Sequence, residues 1–159
     1  MPTATEKLLE YHNKSLTTEH YDDAEILIIT CLDNRIDLHI PKKFAFTIRI
    51  AGANPKSVMP NIAFIISRGI KSIALIGHTD CAMSDEAKIK ETFFQGYHSI
   101  DLPGEKVEEY FKLNILPSIF TDLNENLKEN KKYLKSKFPE LNIQAMIYDI
   151  ETHVLNLVK

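Results

Sequence analysis

Two thiols and one imidazole are the residues of this chain best suited to chemistry: Cys31, Cys81 and His78, the last only three positions before Cys81. Thiolate sulfur and imidazole nitrogen are donors that tetrahedral zinc takes readily, and three protein ligands leave a fourth position to fill. Asp33 follows Cys31 by two residues and Arg35 by four. A carboxylate there can bind the metal itself or accept a hydrogen bond from a metal-bound water. Arg35 can grip that carboxylate at two points and draw it off the metal. With Asp33 in the fourth position the site is closed and makes no nucleophile; as pH rises, hydroxide displaces the carboxylate and opens it. Each residue has a plainer reading too. A lone buried cysteine is commonly a small apolar side chain, Asp33 and Arg35 can form a structural ion pair, and two thiols can be a redox couple. The redox reading lacks a Cys-x-x-Cys pair and leaves His78 without a role.

The elements that must position these residues are legible from periodicity. Ser72–Gly77 is a short apolar run of the kind buried on both faces, and Glu25–Thr30 is another; Cys31 and His78 therefore fall at two strand ends. A strand at Phe44–Ile50 breaks at Ala51-Gly52-Ala53-Asn54-Pro55, and Val58–Ser67 carries apolar residues at helical spacing with Gly69 as its stop. This strand, helix, strand order implies parallel strands. Further helices are expected at Thr5–Ser15, Ser84–Phe94, Gly104–Leu116 and Ser118–Tyr133, with Pro117 as a break and a short helical turn at Ile36–Pro41. Gln95–Pro103 reads as a loop. Ile143–Ile150 supplies a last core strand, and Val154–Val158 an edge strand after the turn at Glu151-Thr152-His153. The expected architecture is α/β, a mostly parallel central sheet flanked by helices, with the zinc site at the carboxyl ends of the strands.

Composition bounds the partners. The chain of 159 residues, net charge −3 and 44 % hydrophobic, reads as one domain over 1–159 with an N-terminal helical arm at about residues 3–18. An acidic balance offers no basic face for nucleic acid. The first residues lack an apolar leader, and no apolar run approaches the roughly 20 residues of a membrane span, so a cytoplasmic protein is expected. There, two cysteines are seldom a structural disulfide. Asp80 is read as a helix cap or hydrogen-bonding support, and His12, His20, His39, His98 and His153 as surface or core residues without ligand spacing. Phe44, Phe46, Phe64 and Tyr148 are core or interface candidates, and Lys128–Lys137 reads as a solvated helix face.

Cys31-x-Asp33-x-Arg35 followed later by Gly77-His78-Thr79-Asp80-Cys81 resembles the paired motif of the beta-class carbonic anhydrases. Arg49-Ile50-Ala51-Gly52 is similar to that family's Arg-x-Ala-Gly turn, and Tyr148-Asp149-Ile150-Glu151-Thr152 to its closing strand. The resemblance implies a compact member of the class: zinc held by Cys31, His78 and Cys81, and an Asp33–Arg35 dyad beside the metal. Gly52 is read from its own turn first as a backbone requirement and second as a substrate-binding candidate. The resemblance also implies a homodimer or larger homo-oligomer with the active site close to the interface. The implied reaction is reversible hydration of carbon dioxide to bicarbonate and a proton by zinc-bound hydroxide. The scaffold also resembles hydrolases of carbon disulfide and carbonyl sulfide, and a zinc-stabilised binding protein with little catalysis is the reading from another class. Three positions depart from the common pattern: Asn34 for serine, Ile50 for asparagine and Ala82 for glycine.

Overall fold

The computed structural model describes residues 1–159. Its centre is a pair of strands each built on four consecutive apolar residues, β1 (Ile26–Thr30), and, numbered after β2 (Ala45–Arg49), β3 (Ser72–His78); every residue of β1 and β3 is buried. A strand covered on both faces has no reason to alternate polar and apolar side chains. With β4 (Asn142–Tyr148) and β5 (Leu155–Leu157) they form one sheet in the order β2-β1-β3-β4-β5. The first four strands are parallel, and β5 runs antiparallel along β4.

The two faces of the sheet build two cores. Ile26, Ile28, Ala74, Ile76, Met146 and Tyr148 face Leu8 and Tyr11 of α1 (Ala4–Lys14). Thr3 and Glu6 close a reciprocal capping box at the start of that helix. On the other face Leu27, Ile29, Ile73, Leu75 and Ile143 meet Ile62 of α2 (Met59–Ser67). Leu127 and Leu134 of the last long helix complete that core.

The order of the strands matters more than their number. The chain leaves β1 outward to β2, then crosses back through α2 to place β3 on the other side of β1. The connections after β1 and β3 thus depart in opposite directions, opening a crevice between their carboxyl ends, where ligand sites of open parallel sheets lie.

Several boundaries differ from the sequence expectation. No helical turn forms at Ile36–Pro41, because its main chain is engaged elsewhere: the Ile36 carbonyl accepts from Arg49 Nη2 and the His39 N–H donates to His12 Nδ1. The helix placed at Ser84 starts later, as α3 (Glu86–Gly96), since Asp85 rather than Ser84 receives the Lys88 N–H as cap; a 3-10 turn then occupies part of the expected loop, Tyr97–Ser99. Gly104–Leu116 is not one helix. It is a 3-10 turn, a short α4 (Val107–Tyr110) and a wide π turn at Phe111–Ile115, and Pro117 ends the run inside a further 3-10 turn. The following helix, α5 (Leu123–Lys137), starts after Asp122, which caps it through the Glu125 N–H. Its lysines lie on the solvated face, half-buried only at Lys131; Lys135 Nζ donates to the Leu141 carbonyl and Lys131 Nζ to Gln144 Oε1. Phe44 and Tyr148 are fully buried, whereas Phe64 is 65 % exposed. No helix is long and apolar enough to cross a membrane.

Candidate metal centre

The crevice at the switch point is where Cys31, His78 and Cys81 meet. Cys31 is the first residue past β1, His78 the last of β3, and Cys81 precedes a 3-10 turn at Ala82–Ser84 that folds its carbonyl onto the Ser84 hydroxyl at 2.7 Å. All three side chains are buried, their donor atoms lie within 4.8 Å of one another, and the two sulfurs stand 3.9 Å apart. Gly77 lets the end of β3 come this close to α5. A Cβ there would lie 2.8 Å from Leu123 Cδ1 and 3.0 Å from Leu127 Cδ1. The loop after His78 is tied to the end of β4 by the Thr79 N–H to the Tyr148 carbonyl and the Ile150 N–H to Thr79 Oγ1.

The histidine has a defined donor atom. Nδ1 is 2.8 Å from the Thr79 carbonyl, an acceptor only, so the proton of the neutral ring sits on Nδ1 and Nε2 presents its lone pair to the sulfurs. His78 Nε2 is one of two buried polar side-chain atoms without a hydrogen-bond partner; the other is Thr30 Oγ1, one residue before Cys31. A buried unpaired acceptor costs free energy unless something binds it. Two thiols and a bare imidazole nitrogen, on a support that fixes the tautomer, fit a soft divalent cation such as zinc.

The sulfurs behave as one titrating pair. The Cys81 thiol donates toward Cys31, which lowers the first deprotonation and raises the second; burial opposes charge on both. For His78, burial disfavours the charged ring, but the Cys31 sulfur, the Thr79 carbonyl and Asp33 together raise its proton affinity.

Asp33 and Arg35 stand at the rim. Arg35 Nε lies 3.0 Å from Asp33 Oδ1, and Nη2 lies 2.7 Å from Oδ2. That grip, aided by the Arg35 N–H, holds the Asp33 carboxyl down at about 2 against burial. Asp33 Oδ2 is 3.8 Å from His78 Nε2, beside the donor cluster. Arg35 also spans the crevice, donating from Nη1 to Asp80 Oδ2 at 2.8 Å and from Nη2 to the Asp80 carbonyl at 2.9 Å. Asp80 is therefore a hydrogen-bonding support and caps no helix. Arg49 is a brace that the sequence reading left without a role: its Nη1 and Nη2 donate to the Asp33 and Ile36 carbonyls. Nothing in residue type alone marks it, because the carbonyls it holds are backbone atoms.

Gly52 lies in the turn after β2 with φ 63, its N–H facing the Cys31 sulfur. Leu32, Ala51, Ala82 and Met83 form apolar walls of a cleft of about 350 Å³ that also reaches Asp33 and the three donors. The five remaining histidines stand apart from this cleft, three of them around a second hollow between α1 and the β4–β5 turn.

No family model matches the sequence, and no curated protein matches it. Solved structures do. A carbonic anhydrase from Glaciozyma antarctica superposes with a TM-score of 0.68 at 23 % identity, over 100 % of this chain and 96 % of that one. Beta-carbonic anhydrase isoform I from Trichomonas vaginalis reaches 0.71 at 19 % identity, over 94 % and 91 %. The apo form of a carbon disulfide hydrolase reaches 0.65 at 18 % identity, over 94 % and 83 %. The chain has the fold of the beta-class carbonic anhydrases.

Proposed function

We propose that this chain is a zinc enzyme, Cys31, His78 and Cys81 holding the metal, that hydrates carbon dioxide reversibly to bicarbonate and a proton. One observation carries the reading above the others: the buried, unpartnered His78 Nε2 faces two sulfurs with an arginine-clamped carboxylate beside it. Bound zinc would supply a Lewis acid and lower the pKa of a water, the chemistry that makes a nucleophile near neutral pH.

The chain's own residues do the rest. The two sulfurs offset the charge of the cation. Asp33, held ionised by Arg35, accepts a hydrogen bond from the attacking water and orients it; released from Arg35, the same carboxylate would reach the donor cluster and close it. Leu32, Ala51, Ala82 and Met83 give an apolar wall suited to a linear, uncharged triatomic molecule. Gly52 serves the substrate through its turn, which places Ala51 in that wall. The proton is released to solvent at the open side of the cleft.

Hydrolysis of carbon disulfide or carbonyl sulfide is the second reading, supported by the same apolar wall and by the likeness to a carbon disulfide hydrolase. A zinc-stabilised binding role follows only if Asp33 stays on the metal at every pH. We place the protein in the cytoplasm, where two facing thiols stay reduced. It acts as a homodimer or larger homo-oligomer, supported by exposed apolar side chains at Leu32 and Phe64.

Stopped-flow hydration of carbon dioxide by zinc-loaded protein tests the reading. The expected result is a rate proportional to protein concentration that rises with pH. A background rate at all pH values in protein shown to hold zinc overturns it, and turnover of carbonyl sulfide in the same sample selects the second reading.

A further inference from the structure

His12 is a buried histidine outside the metal centre, 4 % exposed on the inner face of α1. Both ring nitrogens are taken up by main-chain groups of other segments. Nε2 lies 2.8 Å from the carbonyl of His153 in the β4–β5 turn, and Nδ1 receives the His39 N–H at 3.1 Å from the connection between β1 and β2. A carbonyl only accepts, so the proton sits on Nε2. A ring that accepts at Nδ1 is neutral. We propose that His12 is a proton-sensitive latch: neutral, it ties α1, the β4–β5 turn and the connection bearing Asp33 and Arg35; protonated, it releases the His39 N–H and loosens that connection around His39, while Arg49 still holds it at Asp33 and Ile36.

The release is confined to one side. Asn13, next on the helix, exchanges two hydrogen bonds with the Leu155 backbone, Nδ2 to the carbonyl and Oδ1 from the N–H, each at 2.9 Å. No proton in the accessible range breaks those, and Leu8 and Tyr11 remain packed on the sheet. The His39 tie has no such backup. Its ring is held only by the Ser15 hydroxyl at 3.3 Å and by Asp37, 3.4 Å from Nε2.

The groups facing His12 set the direction. From the connection come the His39 ring, 5.6 Å away between centroids, and the Asp37 carboxylate; from the turn, His153; from β4, Tyr148 at 5.5 Å, its hydroxyl 2.9 Å from His153 Nδ1. Burial opposes the charged ring most, and His39 and His153 add to it, against the His153 carbonyl and Asp37. The folded protein therefore binds this proton less readily than the unfolded chain. The latch is intact above the ordinary histidine range and weakens as pH falls through it.

The test is amide hydrogen exchange by NMR on the zinc-loaded chain from pH 8 to pH 5.5, corrected for intrinsic rates. His39 N–H is the reporter, Leu155 N–H the internal control, and His12→Gln the variant, because a glutamine amide offers an acceptor and a donor at every pH. In the native chain, protection at His39 should fall by up to about tenfold per pH unit, one proton's worth, while Leu155 keeps its protection. In His12→Gln the His39 slope should vanish. An equal slope in both proteins, or no slope in the native one, overturns the latch. Should His12→Gln not fold, the ring of the native protein decides by its ¹⁵N shifts: a proton on Nε2 at pH 8 supports the latch, and one on Nδ1 refutes it. None of these outcomes depends on catalysis, so the latch and the carbon dioxide reading fail separately.

Discussion

Gly52→Ala would show how tightly the turn after β2 is built against the rest of the site. Gly52 has φ 63, a backbone region costing an L-residue about 1–2 kcal/mol. A Cβ placed there would stand 2.5 Å from the Ser118 carbonyl oxygen, closer than any ordinary contact. The Ser118 segment is not free to retreat, because Asn54 Nδ2 donates to the Pro117 carbonyl at 3.1 Å and to Ser118 Oγ at 3.3 Å. Forcing a methyl into packed surroundings adds about 1–3 kcal/mol. The two costs together predict a loss of about 2–5 kcal/mol in urea unfolding. Gly69→Ala is the control, since φ is 98 there but nothing lies within 4 Å of the new carbon. Only Gly52→Ala should also lower zinc retention, because its N–H faces Cys31 and its neighbour Ala51 lines the cleft. A stability loss no larger than that of Gly69→Ala, which carries the backbone cost alone, would refute the close approach to Ser118. Equal zinc retention in both variants would refute the link between this turn and the metal.

Cys81→Ala should lose zinc and stability together, since a metal held at these donors would join two strand ends; metal analysis showing full occupancy would remove Cys81 from the ligand set. Asp33→Ala should keep zinc but lose most hydration activity in the stopped-flow assay, and unchanged turnover would take the carboxylate out of the mechanism. Arg35→Ala should let the Asp33 carboxyl rise from about 2 toward the usual carboxylate range. The pair stabilises the fold above that range and is lost as pH falls through it toward about 2, so the melting difference from the native protein should be full at neutral pH and close on acidification. A difference that does not change with pH would mean that the arginine acts through packing alone.

What residue order determines here is local. Runs such as Ile26–Ile29 and Ile73–Ile76 are apolar at every position, so they must be covered on both faces, and a parallel sheet with helices outside is the arrangement that does this. Cys31, His78 and Cys81 announce themselves as donor types at the ends of those runs. Boundaries blurred where side chains compete for main-chain groups, as when Asp85 rather than Ser84 starts a helix, or where Phe111–Ile115 widens into a π turn. The absence of the turn expected at Ile36–Pro41 has the same origin at longer range, since the partners of its backbone, Arg49 and His12, lie on another strand and another helix.

Only the tertiary structure decided that β3 lies beside β1 and not β2, which is what turns two strand ends into one crevice. It alone set Arg35 between Asp33 and Asp80, and engaged both nitrogens of His12, a residue with no ligand spacing in the sequence. Spacing along a chain reports neighbours within an element. Hydrogen bonds between segments far apart in sequence are set by how the sheet brings those segments together, and no local pattern records them.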